Sequence, residues 1–85
     1  MYEIVFAESY FKFWKNISLD TRSKIIKKIE LLKTDKKFRH LRSGLPYFVQ
    51  EVGQYRVCFL EKDNTRILIF VGNHKEYEKW YLSKM

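Results

Sequence analysis

A surplus of arginine and lysine, two histidines and a single cysteine bound the chemistry open to this sequence of 85 residues. Arg56 stands inside an apolar run, Tyr55-Arg56-Val57-Cys58-Phe59-Leu60. A guanidinium keeps its charge at any physiological pH and can grip two oxygens of one oxyanion at once. In a strand, alternation puts Arg56 on the face of Cys58 and Leu60, opposite Tyr55, Val57 and Phe59. Taken alone it reads as an exposed-face arginine paired with Glu51 across the hairpin, because most charged strand residues are solvated. His74 follows Gly72-Asn73, where a loop would carry an imidazole out from a sheet end to move a proton or supply a charge. Taken alone it reads as a solvated loop histidine. Lone Cys58 rules out an intrachain disulfide and every multi-cysteine zinc module, and reads as buried apolar filler in a reducing compartment.

A second feature is the run from Arg22 to Arg42. It holds Arg22, Lys24, Lys27, Lys28, Lys33, Lys36, Lys37, Arg39 and Arg42 against only Glu30 and Asp35. A lysine-rich helix face is ordinarily just solvated. An excess this one-sided, in a chain of formal charge +7, instead favours contact with a polyanion. The first residues lack the positive segment and cleavage site of a signal peptide, and no apolar run reaches the ~18–20 residues of a membrane span, so a soluble cytoplasmic protein is expected.

These side chains must be held by a small scaffold. With 85 residues, 46% apolar, 18% aromatic, 3 Gly and 1 Pro, the chain is globular and fits one domain, residues 1–85, with a thin core enriched in rings. Tyr2–Phe6 reads as an opening strand. Ala7–Lys15 reads as a short helix whose Tyr10, Phe11, Phe13 and Trp14 pack as core. Ser18 or Asp20 caps a second helix over Thr21–Leu32, with Ile25, Ile26, Ile29, Leu31 and Leu32 inward and lysines outward. Asp35–Pro46 reads as a basic loop. Tyr47–Val52 and Tyr55–Leu60 form a hairpin whose Gly53 suits a type II′ turn. Asp63-Asn64 is a second turn, and apolar Arg66–Val71 belongs inside the sheet. Glu76–Leu82 reads as a final short helix. The expected class is α+β, β-α-α-β-β-β(-α), with a small antiparallel sheet and two N-terminal helices on one face.

The order of these elements, with Phe38-Arg39-His40-Leu41-Arg42-Ser43-Gly44-Leu45, Val52-Gly53-Gln54-Tyr55-Arg56-Val57 and Phe70-Val71-Gly72-Asn73-His74-Lys75-Glu76-Tyr77, resembles the RelE/ParE toxin superfamily, RelE most closely. The resemblance covers nearly the whole chain. It implies an mRNA interferase acting in the ribosomal A site and held inactive by a cognate RelB-like antitoxin. It also implies metal-free cleavage, in which the RNA 2′-OH attacks the adjacent phosphate.

That chemistry needs a base for the 2′-OH, positive charge for the phosphate and an acid for the leaving oxygen. The resemblance assigns Arg56 to the phosphate and His74 to proton donation or charge. Glu51 and Tyr81 are further proton handlers, with Tyr77 another reachable hydroxyl. Where the best-studied relatives carry two basic residues before the hairpin, this chain reads Val49-Gln50-Glu51. Lys24, Lys27, Lys28, Lys36, Lys37, Arg39, Arg42 and Lys75 would contact RNA, Trp80 would stack on a base, and His40 reads as a surface or RNA contact. Two alternatives stay open at this point: a ParE-like gyrase poison without nuclease activity, and a plain basic RNA-binding module.

Overall fold

A computed structural model describes residues 1–41 and 45–84. Among these the strands are β1 (Glu3–Phe6), β2 (Arg39–His40), β3 (Phe48–Val52), β4 (Tyr55–Lys62) and β5 (Thr65–Asn73). The helices are α1 (Glu8–Trp14), α2 (Leu19–Ile29) and α3 (His74–Ser83), and a 3₁₀ turn, Glu30–Lys33, extends α2. The sheet order is β1-β5-β4-β3-β2, with β1 parallel to β5 and every other pairing antiparallel. The α+β class and the element order are as expected from the sequence. Two particulars of the sheet are corrected. The opening strand runs parallel to its neighbour, because α1 and α2 carry the chain away before it returns. The basic loop also contributes a two-residue edge strand, β2.

Local sequence accounts for several element ends. Ser18 caps α2, its Oγ accepting from the Thr21 amide at 3.3 Å. Gly53 takes φ +60° between the paired residues Val52 and Tyr55, the conformation the two-residue turn requires of its first central position. Asn73 starts α3 with a reciprocal capping box: its Oδ1 accepts from the Glu76 amide and Glu76 Oε1 accepts from the Asn73 amide, both at 2.9 Å. The strand therefore passes straight into the helix. His74, expected in a loop, is the first residue of α3.

Each face of the sheet is covered. On one, Tyr10 of α1 and Ile25 and Ile29 of α2 pack with Val57, Phe59, Leu68 and Val71. On the other, Tyr77 and Trp80 of α3 pack with Val49, Cys58 and Phe70. Leu68 and Val71 are three residues apart yet share a face. A bulge explains it: Phe59 pairs with Leu68 and Cys58 with Phe70, so Ile69 is left over and the alternation inverts beyond it. Phe70 is thereby turned toward α3. Phe11 and Ile26, expected in the core, are 54% and 52% exposed. They lie instead along a groove between β1, α1 and α2 that Trp14 and Tyr10 also line.

Arg66, the first residue of the expected strand, is buried, with 1% of its surface exposed. Its Nε donates to Glu61 Oε2 at 2.9 Å, Nη1 to the carbonyls of Leu32 and Thr34 at 3.0 and 3.2 Å, and Nη2 to that of Lys36 at 2.8 Å. The guanidinium carbon sits 3.9 Å from the centre of the Tyr2 ring. The segment between α2 and β2 is thus fastened to β5 through its own backbone.

This packing sets the cost of two substitutions. Arg66→Ala leaves a partly buried carboxylate and three carbonyls without their donor and should cost about 3–5 kcal/mol, much of the roughly 5–15 kcal/mol typical of a domain. Urea unfolding followed by tryptophan fluorescence measures it, and a loss below about 1 kcal/mol would mean ring packing alone fastens the segment. A methyl group on Gly72 would lie 2.8 Å from Phe70 Cζ and 3.1 Å from Glu76 Cβ. Gly72→Ala should therefore lower stability by about 1–3 kcal/mol by pushing α3 off the sheet. An unchanged urea midpoint would show that Phe70 turns aside freely.

Candidate functional site

The face under α3 gathers the charged residues of the β3–β4 hairpin. Glu51 and Arg56 are cross-strand partners and share this face with Val49 and Cys58. The Arg39–Val49 pairing brings Arg39 of β2 onto the same face. Arg39 Nη2 lies 3.5 Å, and Arg56 Nε 3.9 Å, from the same oxygen, Glu51 Oε2. One carboxylate oxygen is thus flanked by two guanidinium groups. Arg56 is the fixed member, its side chain 15% exposed and its Nη1 donating to the carbonyls of Gly53 and Tyr55 at 3.0 and 2.9 Å.

Helix α3 brings hydroxyls over this cluster. Burial raises the Tyr77 pKa above the usual tyrosine value, and nearby Cys58 adds to the shift. Arg39 and Arg56 act against it, and Tyr81 acts with it. Tyr77 is therefore a protonated hydrogen-bond donor at neutral pH, within electrostatic reach of both arginines. Its ring lies nearly parallel to that of Tyr81, 6.0 Å between centroids, and 6.3 Å from the imidazole of His74. Residues 74, 77 and 81 form one stripe, as helical spacing requires. Tyr77 and Tyr81 line, with Arg39, His40 and Leu41, a groove of about 320 Å³.

His74 is exposed and its Nε2 lies 2.8 Å from Glu78 Oε1, one turn along α3. The pairing of Arg56 with Gly72 puts the arginine opposite a residue two before His74, on the same rim of the sheet. Lys75 is exposed beside His74 on the first turn of the helix. Trp80 is corrected from a base-stacking residue to a core residue. It is buried, stacked on Phe70 at 4.9 Å and tilted against Tyr47 at 5.1 Å. Cys58 is fully buried, and burial pushes its thiol pKa up against the opposing pull of Arg56, so it stays an unreactive thiol.

The basic surface leads into the cluster. Lys24, Lys27 and Lys28 of α2 and the hairpin turn Val52–Tyr55 enclose a groove of about 480 Å³. Lys28 also lines a second groove, of about 370 Å³, with Lys36, Lys37, Arg39, Gln50 and Glu51. Arg42, expected to contact RNA, lies outside the described residues. The sequence marks Arg39 only as a general RNA contact and Tyr77 only as a reachable hydroxyl. The i, i+3, i+7 spacing of His74, Tyr77 and Tyr81 is a usable signal for the stripe. For Arg39 nothing local marks the edge strand that carries it to Glu51.

No protein-family model and no curated protein matches the sequence. Solved structures do. The chain superposes on the RelB-RelE antitoxin-toxin complex from Methanococcus jannaschii with a TM-score of 0.71, 19% identity, and coverage of 91% of this chain and 98% of that chain. For the intact E. coli RelBE toxin-antitoxin complex the TM-score is 0.70 and the identity 22%, over 86% of this chain and 96% of that one. A mutant of the E. coli toxin RelE in the free state gives 0.73 and 22%, over 94% and 90%. With three helices and a five-stranded sheet among its described residues, and 94% of its length covered by the match to the free E. coli protein, this chain has the RelE-like fold.

Proposed function

We propose that this protein is the toxin of a toxin–antitoxin pair and cleaves ribosome-bound mRNA by attack of a 2′-OH on the adjacent phosphate. The observation that carries the reading is the Glu51 carboxylate between Arg39 and Arg56, at the end of a lysine-lined surface and under a stripe of His74, Tyr77 and Tyr81. Glu51 takes the proton from the 2′-OH. The O2′–P bond forms and the P–O5′ bond breaks, leaving a 2′,3′-cyclic phosphate. Arg56 stabilises the charge that builds on the phosphoryl oxygens. The departing O5′ takes its proton from α3. His74 is assigned as donor because a protonated imidazole can pass its proton to a leaving oxygen. Tyr81 is assigned to orienting the 2′-OH. Lys24, Lys27, Lys28, Lys36, Lys37, Arg39, Arg42 and Lys75 hold the RNA backbone in a salt-dependent way.

The expected partner is a cognate antitoxin. Two of the structures that this chain resembles are RelB–RelE complexes. A surface of charge +7 suits an acidic, partly apolar segment that orders on binding, and cytoplasmic action follows from a ribosomal target.

Two experiments test the reading. Arg56→Ala, His74→Ala and Glu51→Gln should each lower single-turnover cleavage on programmed ribosomes by about 10²–10³-fold while far-UV circular dichroism stays unchanged. Parental rates in all three would place the chemistry elsewhere, and a parental protein that blocks growth without cutting mRNA would favour a gyrase poison. Expression alone should arrest growth, and co-expression of an adjacent gene for a small acidic protein should relieve it. Equal toxicity in both conditions would count against the antitoxin.

A further inference from the structure

Glu51 is the acidic residue in a groove otherwise charged by Lys28, Lys36, Lys37 and Arg39. Its two contacts are incomplete. At 3.5 Å to Arg39 and 3.9 Å to Arg56 neither reaches hydrogen-bond distance, and neither closes into the parallel fork that guanidinium and carboxylate favour. The three partners also differ in freedom. Arg56 is pinned to the turn carbonyls, whereas Arg39 and Glu51 are 64% and 56% exposed. Glu51 and Arg39 are therefore freer to swing than Arg56, which stays in place.

We propose that Arg39 and Arg56 form a site for one phosphodiester group of RNA, and that the Glu51 carboxylate fills this site while no RNA is bound. The inference rests on the RNA-cleaving reading above and adds to it that the two arginines share one phosphate and that the site has an internal occupant. A phosphodiester carries the same unit charge as the carboxylate. Its two free oxygens are set further apart, so both arginines can close on it. The lysine groove that ends at Arg39 and Glu51 brings the RNA backbone to this point. Displacement moves Glu51 aside but leaves it on β3 directly opposite Arg56, where it can accept the 2′-OH proton. Filling the site and freeing the base are then one movement.

The test uses the whole protein and a short single-stranded RNA that is 2′-O-methylated throughout, so it cannot be cut. Binding is followed by fluorescence anisotropy at low salt. Glu51→Gln should tighten binding by about fivefold or more, given two contacts near 4 Å in partly solvated surroundings. Glu3→Gln makes the same change in net charge on β1, at the opposite edge of the sheet, and should tighten it less than about twofold. Arg39→Ala should weaken binding, and the gain from Glu51→Gln should shrink in that background. Equal gains from the two glutamines would overturn the proposal. So would a Glu51→Gln gain undiminished by Arg39→Ala, or a parental protein that does not bind the probe. Because the probe cannot react, these results stand apart from the cleavage assay. Shifts seen with a protein that never cuts mRNA would remove the nuclease reading alone, and cutting without the shifts would remove only this inference.

Discussion

A buried guanidinium fastens this small structure. Arg66 projects from β5 and donates to three backbone carbonyls between the end of α2 and the start of β2, with Glu61 balancing its charge. Burying a charge is unfavourable unless it is paired and its hydrogen bonds are satisfied, and here both conditions hold. Of the three residues whose carbonyls it binds, Leu32 is buried, but Thr34 and Lys36 are exposed and polar, so apolar burial of their own side chains does not hold those two down. Tyr2 and Phe38 close over the guanidinium. This clamp sets where the chain can enter β2, and β2 is the strand that carries Arg39.

From that point the hydrogen-bond registers determine the rest of the site. The β2–β3 and β3–β4 pairings line up Arg39, Glu51 and Arg56 on one face. The bulge at Ile69 turns Phe70 to that face, where Trp80 stacks on it and seats α3. Gly72 allows the helix to approach closely, and the Asn73 capping box starts the helix without a loop between. His74, Tyr77 and Tyr81 are thereby held on a rigid element rather than on a mobile connection. Rigid placement is what stabilising a short-lived charge requires, since donors that must reorganise at the moment of reaction lose most of their effect.

The charge pattern complements this geometry. Lysines on α2 and on the segment before β2 line two grooves that share Lys28, and Glu51 lines the second beside Arg39. An acid in such a place lowers the local positive potential. The apolar groove beside Phe6, Phe11 and Ile26 lies between β1, α1 and α2 and does not line the arginine cluster.

The sequence by itself determined whatever depends on near neighbours. Gly53 announces its turn because few other residues accept that φ, Ser18 announces its cap, and alternation in Tyr55–Leu60 places Arg56 and Cys58 on one face of their strand. The pairing of Arg56 with Glu51 follows from the same short hairpin. Contacts between residues far apart in the chain were decided only by the tertiary structure. Arg66 reads locally as an ordinary strand-leading arginine, and its burial depends on carbonyls about thirty residues earlier. The parallel seat of β1, the edge strand holding Arg39 and the bulge that redirects Phe70 leave no local pattern, because each is a matter of which strand lies alongside. Trp80, a surface residue by its polar neighbours, is buried because the sheet beneath α3 presents Phe70 to it. Side-chain type and spacing fix what a residue can do, but the company it keeps is set by the packing of the whole chain.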